Sequence, residues 1–298
     1  MDPLEVAGMN APVTPVTVGL DGSPESLAAA AWGAAEATRR ALPLLLLRVQ
    51  PRTPPPLSDS PYHRHQEERL LRESREGLEG NHPGLTVTTR HLTHQDPVQG
   101  LVAAAEEAEL LVLGSRGLTG MTGFLLGSVG LATAARSARP VVMVRNAPEA
   151  PPSGEVVLGW DVRHPSEALL EFAFGAAGRR GVPLRVVSAW APVPALRYEP
   201  STAAGMNLEP TDDELVRERL ERLGDLLGPW RAAHPGVEVV PAVPLGSAGR
   251  ELVRAAAGAS LVAVGRRRAA LPLGPRLGSV AHAVLHHASA PVAVVPHD

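Results

Sequence analysis

Gly114-Ser115-Arg116-Gly117, followed after nine residues by Gly127-Ser128, is the stretch that decides how this chain is read. It comes after the apolar run Leu110-Leu111-Val112-Leu113, which predicts a short buried strand. It precedes Val129 to Ala138, rich in alanine, which predicts a helix. A strand, a glycine-bearing loop and a helix N-terminus together form an anion-binding device. Backbone N–H groups approach an anion closely where no Cβ intervenes, and the helix dipole favours negative charge there. Ser128 stands where an N-cap or a phosphate-contacting hydroxyl is expected.

Working outward, strands and helices alternate. Val13 to Leu20 predicts a first strand, ending at Asp21-Gly22-Ser23-Pro24-Glu25. There Ser23 suits an N-cap, Pro24 the first helical position and Glu25 the first turn. Further strands are expected at Leu44 to Val49, Leu85 to Leu92 and Val141 to Val144. Helices are expected to Arg40, over Glu67 to Glu79 and over Val98 to Glu107, and the proline-rich Pro51 to Pro61 reads as irregular. This alternation implies a parallel sheet with right-handed crossovers. Asn146 to Gly154 carries three prolines and reads as a linker, after which the same order returns. Strands are then expected at Val156 to Gly159, Leu184 to Ala189, Val237 to Val243, Leu261 to Val264 and Val292 to Val295. Pro165 is expected to start a helix as Pro24 does, with others at Asp212 to Ala233 and Gly249 to Ala257.

The second half is a repeat of the first. Gly114, Gly127-Ser128 and Pro140-Val141 recur as Gly265, Gly278-Ser279 and Pro291-Val292, each 151 residues on. Asp21 and Asp161 differ by only 140, which places an insertion in the second half, at Pro192 to Thr211. The expected domains are therefore residues 12–146 and 154–298.

Composition narrows the chemistry. There is no cysteine, so no disulfide framework, thiolate metal site or cysteine nucleophile is available. There is no lysine, so the P-loop motif G-x4-G-K-[ST] is absent. Net charge is -3, which does not suggest a nucleic-acid or membrane-surface binder. No run approaches the length of a membrane span, and no basic-then-apolar leader opens the chain, so a cytoplasmic location is expected. His282 and His286 have the i, i+4 spacing of a metal pair, but solvated histidines explain them, and His63 and His65, more simply. No Gly-x-Ser-x-Gly elbow is present.

The element order, the pattern G-x2-G-x9-G-S and Asp21 at the first strand end resemble the universal stress protein family, specifically its tandem two-domain members. The resemblance covers nearly the whole chain. It implies an α/β fold of two tandem Rossmann-like domains, each a five-stranded parallel sheet of order 3-2-1-4-5 with helices on both faces. It also implies ATP, accompanied by Mg²⁺, as ligand. Carried over, Asp21 meets the adenosine end and Val49 flanks the adenine. Leu113, Gly114, Arg116 and Gly117 hold ribose and phosphates, and Gly127, Ser128 and Val129 the phosphate tail. Their counterparts are Asp161, Ala189, Val264, Gly265, Arg267, Arg268, Gly278, Ser279 and Val280. The second half departs from the pattern at Arg268, which stands where the second glycine belongs. Its side chain either blocks backbone approach or, with Arg266, Arg267 and Arg276, pairs with phosphate. The last strand of each half is expected to pair across the repeat as a pseudo-dimer within one chain, and a homodimer remains open.

A phosphate cradle without a convincing general base, lysine or nucleophile suggests nucleotide held as a signal or structural ligand, with little or no turnover. The alternatives are slow ATP hydrolysis or adenylyl transfer, with Asp21 the one nearby carboxylate, and an interaction module that binds nucleotide in its first half alone.

Overall fold

The structure, a computed structural model, describes residues 13–51, 61–115, 127–145, 154–190, 212–268 and 277–298. In the first half, β1 (Val16–Gly19), β2 (Leu44–Pro51), β3 (Val87–His94), β4 (Leu110–Gly114) and β5 (Val141–Val144) alternate with α1 (Pro24–Arg40), α2 (Pro61–Asn81), α3 (Pro97–Glu106) and α4 (Ser128–Arg136). In the second half, β6 (Val156–Gly159), β7 (Leu184–Val187), β8 (Val239–Ala242), β9 (Leu261–Arg267) and β10 (Val292–His297) alternate with α5 (Glu167–Arg180), α6 (Asp212–Ala233), α7 (Ala248–Ala255) and α8 (Ser279–His287). The expected linker at 146–153 and the insertion Pro192 to Thr211 lie outside the described residues.

All ten strands join one sheet of order β3-β2-β1-β4-β5-β10-β9-β6-β7-β8. Each half is the expected 3-2-1-4-5 parallel arrangement, and β5 and β10 meet antiparallel at the seam. Val142 lies opposite Ala293 there. These residues are equivalents under the 151-residue repeat, so the pseudo-twofold axis passes through that pair. The apolar edges that each half would otherwise expose are thereby paired.

The continuous apolar strands follow from burial on both faces. One face carries α1, α2, α5 and α6, with a core from Val18, Leu46, Ala34, Leu158, Phe174 and Leu223. The other carries α3, α4, α7 and α8, with Leu111, Leu101, Val262, Leu252 and Val284. Small residues bring the helices close: a Cβ on Gly33 of α1 would stand 2.5 Å from Val18 Cγ2. Ser23 caps α1 as its sequence predicts, accepting from Ser26 N at 3.2 Å, with Pro24 and Glu25 in the first turn.

Three local expectations need correction. Pro165 does not start α5; Ser166 is the N-cap, accepting from Leu169 N at 3.2 Å, and Pro165 precedes it. A turn over 161–164, closed by His164 N on Asp161 O at 3.0 Å, displaces the helix start. The strand expected to end at Val264 does not end there. Gly265 continues β9, because Pro296 and His297 of β10 run past the predicted strand end and, with Val295, pair with Gly265, Arg266 and Arg267. Ser128 and Ser279 are not N-caps; Gly127 and Gly278 are, and neither helix has a side-chain cap hydrogen bond.

Candidate functional site

The clearest cleft lies in the second half, at the carboxyl ends of β6, β7 and β9, the topological position where open α/β sheets take ligands. It is a cavity of about 1190 Å³. Asp161, Ala189, Val264, Gly265, Arg267, Gly278, Ser279 and Val280, all expected from the sequence, line it.

Asp161 follows β6, where the chain turns before α5. Its Oδ1 accepts from Arg163 N at 3.1 Å and Arg163 Nε at 3.0 Å, and its Oδ2 from Arg163 Nη2 at 3.2 Å. His164 Nδ1 lies 3.1 Å from Oδ2, and Arg267 Nη2 lies 4.0 Å away. The hydrogen bonds from Arg163 outweigh partial burial and lower the Asp161 pKa to about 2. A carboxylate thus sits at the strand end with arginine guanidinium groups gathered around it.

Opposite, α8 starts at the cavity. Its N-cap Gly278 has no Cβ, and one built there would meet nothing within 4 Å. No side chain caps the first-turn N–H groups, the arrangement that favours an anion. Ser279 and Val280 form the first turn.

The arginines of the second loop separate. Arg266 is buried, and its Nη2 donates to the Ser137 carbonyl in the first half. Burial, and then the neighbouring Arg268 charge, push its pKa down. Arg268 turns to the Ala138 carbonyl at 3.3 Å and to Asp298 at 3.7 Å, and it is not among the residues lining the cavity. Arg267 alone of the three reaches towards Asp161. The extension of β10 explains this, since side chains on a paired strand alternate between faces.

The first half repeats the plan with differences. Asp21 follows β1 and accepts from Ser23 N at 2.9 Å and Ser23 Oγ at 2.5 Å. Val49 is half-buried on β2, packed so that a Cβ on Gly100 would stand 2.9 Å from its Cγ1. Leu113 is buried at the end of β4. Gly114 answers a structural need: a Cβ there would lie 2.5 Å from the Glu25 carbonyl carbon and 2.6 Å from Ser26 N. Gly127, like Gly278, faces open space at the start of its helix, followed by Ser128 and the exposed Val129. Arg116, Gly117 and Arg276 lie outside the described residues.

Sequence reasoning missed several residues that line the second cavity: Arg163, His164, Trp190, Arg219 and His297. Trp190 was accessible through the repeat, because the 140 offset sets it against Gln50. His297 was not, since only the pairing of β10 beyond Val295 carries it past Gly265. The rings of His282 and His286 are tilted at 30° to each other with centroids 4.3 Å apart, and no three His, Asp or Glu side chains converge as metal ligands among the described residues. Among those residues no helix is long and apolar enough to cross a membrane.

The comparisons with known proteins agree with this architecture. The model of the universal stress protein family matches twice, over residues 12–145 and 154–296. A universal stress protein of Mycobacterium tuberculosis is 33% identical over 293 residues, covering 94% of this chain and 96% of its own. A second from the same species is 30% identical over 312 residues, covering 95% and 96%. Among solved structures, a universal stress protein from Archaeoglobus fulgidus has a TM-score of 0.72 at 19% identity, covering 95% of this chain and 98% of its own, a likeness of fold. With a family match in each half and relatives aligned end to end, the chain belongs to the universal stress protein family, as a tandem two-domain member.

Proposed function

We propose that the protein binds ATP, one molecule in each half, and that the bound nucleotide serves as a signal or structural ligand in a stress response with little turnover. The observation that carries the reading is the second cavity, where an uncapped helix N-terminus with an open glycine, Gly278, meets Arg163 and Arg267. Oriented N–H groups and guanidinium groups together suit a polyphosphate. In this reading Gly278, Ser279 and Val280 hold the phosphate tail, Arg267 adds charge, and Asp161 accepts from the ribose. Gly127, Ser128 and Val129 do the same in the first half with Asp21. Mg²⁺ enters with the phosphates, whose mutual repulsion it offsets. No protein ligand is assigned to it, because no three-residue carboxylate or histidine cluster is found among the described residues.

Low turnover follows from the same geometry. Asp161 is held ionised by Arg163 and has a poor affinity for a proton, so it is a weak general base. Denaturing release of nucleotide from the purified protein, quantified by chromatography per chain, tests the reading. Two ATP per chain are expected. No nucleotide, with no uptake of added ATP and Mg²⁺, would overturn it, and ADP in place of ATP would favour the hydrolase.

A further inference from the structure

Resting on that nucleotide reading, we propose that the two halves read the base in different ways: the second stacks it on a Trp190–Arg219 platform, where the first has Arg48, Gln50 and Glu67 joined by hydrogen bonds. The comparison is residue for residue. β1 pairs with β2 as β6 pairs with β7, Val16 against Leu44 and Val156 against Leu184, an offset of 140. Arg48, Val49 and Gln50 therefore correspond to Ser188, Ala189 and Trp190. The next helix and strand of each half are related by 152: Val87 and Val239 pair with the matched leucines, and Leu71 of α2 and Leu223 of α6 are both buried. By that offset Glu67 corresponds to Arg219.

The substitutions are coordinated. In the first half, Arg48 Nη2 donates to Glu67 Oε1 at 3.2 Å, Arg48 Nη1 reaches the Leu20 carbonyl at 3.4 Å, and the Gln50 amide donates to Glu67. Among the described residues this is a polar network of fixed donors and acceptors. In the second half the carboxylate has become a guanidinium, and the amide an indole. Arg219 Cζ lies 4.4 Å from the Trp190 ring centroid. The indole is held before any ligand arrives: its Nε1 donates to the Val243 carbonyl at 3.2 Å. Its backbone is zipped to Pro244 and Gly246 at 3.1 and 2.8 Å. Trp190 and Arg219 both line the cavity whose other end carries Arg163, Arg267 and the start of α8. The cavity is thus lined both by a guanidinium lying over an indole and by an anion cradle, partners for the base and the phosphates of a nucleotide.

The chemistry sets the specificity. Guanidinium and indole planes stack with any base, because every base has a π-face. In the first half Arg48 Nε is buried without a hydrogen-bond partner, so a base edge that offers it no acceptor leaves a buried donor unpaired. The second half is accordingly base-tolerant, and the first half is selective.

Tryptophan emission of the full chain reads the second site. Trp190 and Trp160 line its cavity, whereas Trp32 packs under Arg180 and Trp230 against Phe174. ATP, GTP and inorganic tripolyphosphate are the probes. Both nucleotides should quench emission, with affinities within about threefold of each other, and tripolyphosphate should bind about tenfold or more weakly, because it has no base to stack. Arg219→Ala, at an exposed side chain that the fold does not need, should weaken both nucleotides by about tenfold and leave tripolyphosphate unchanged. Trp190→Phe should keep most of the affinity and Trp190→Leu lose it. GTP binding tenfold or more weakly than ATP at the quenched site would overturn the platform. So would an Arg219→Ala loss shared equally by tripolyphosphate, or two ATP released per chain without any quenching. In those three cases nucleotide still binds. Absence of released nucleotide and of any response to all three probes would instead remove the nucleotide reading, and the platform with it.

Discussion

Two glycine positions show how differently a missing Cβ can be used. Gly114 is close-packed against the backbone of α1, whereas Gly278 faces open cavity. A side chain is thus tolerated sterically at Gly278, and Gly278→Glu should fold normally. Its carboxylate would stand where the phosphate tail is proposed, so nucleotide released per chain should fall from two to one with circular dichroism and Tm unchanged. Gly278→Glu protein that still carries two would refute the cradle. Ala41 makes a different prediction. It ends α1 with φ 52°, and its counterpart Gly181 ends α5 with φ 64°. The left-handed conformation costs an alanine about 1–2 kcal/mol that glycine avoids, offset in part by the looser unfolded chain. Ala41→Gly should raise stability by about 0.5–1 kcal/mol and Tm by roughly 2 °C, read by thermal denaturation. The sequence alone did not mark Ala41, because nothing in an Ala-rich helix indicates which alanine carries a positive φ.

Among the elements, α1 and α5 meet across the seam through a charge cluster buried between the halves. Glu36, 1% exposed, is bonded to Arg40 at 2.7 Å and to Arg180 at 2.6 Å, and Arg40 also reaches Glu109 at 3.0 Å. Arg180 lies 5.7 Å from the Trp32 ring centroid and Arg40 at the same distance from Phe172, each across the halves. Burial alone would push the Glu36 pKa up, but the Arg180 and Arg40 charges outweigh it and hold the carboxyl below its usual range. Glu36→Ala leaves Arg180 buried and unpaired while Arg40 keeps Glu109. A loss near the lower end of about 3–5 kcal/mol is expected in urea denaturation. The pH dependence has a definite sign. The folded-state pKa is depressed, so this contribution is complete above the unfolded carboxylate pKa and is lost as pH falls through the lower folded value. Acid unfolding of Glu36→Gln should be less steep than that of the parent below the usual carboxylate range. None of this was legible in the sequence, where Glu36 and Arg180 are 144 residues apart and look like solvated helix charges.

At the scale of the molecule, the seam explains why the chain is a tandem. Equivalent residues Val142 and Ala293 face one another, so the second half occupies the place a second copy of the first could take. Residues 12–146 expressed alone should therefore self-associate through β5, with Val142 opposite Val142, and light scattering after gel filtration should report a dimer or larger species. A stable, soluble monomer of that half would show that its apolar edge needs no partner. The antiparallel seam also turns the carboxyl ends of the strands in the two halves to opposite ends of the sheet. The carbonyl of Ser137, the C-cap of α4, accepts from Arg266 of the second half, and that of Leu285 in α8 accepts from Arg145 of the first at 2.5 Å.

The sequence by itself determined the repeat, the strand–helix alternation, the strand order through the family it resembles, and eight of the residues that line the second cavity. These are local or periodic features: apolar runs for strands buried on both faces, and recurring glycines at one offset. The tertiary structure alone decided the seam at β5 and β10, the charge cluster at Glu36 and the fate of the triple arginine. Arg266, Arg267 and Arg268 are adjacent letters of one type, and nothing in their identity separates them. Pairing of β9 with the extended β10 sends them to different neighbours, one into the interface between the halves, one to the cavity and one to the C-terminal edge. Which neighbour a charge acquires depends on contacts far along the chain, and those are set only when the sheet closes.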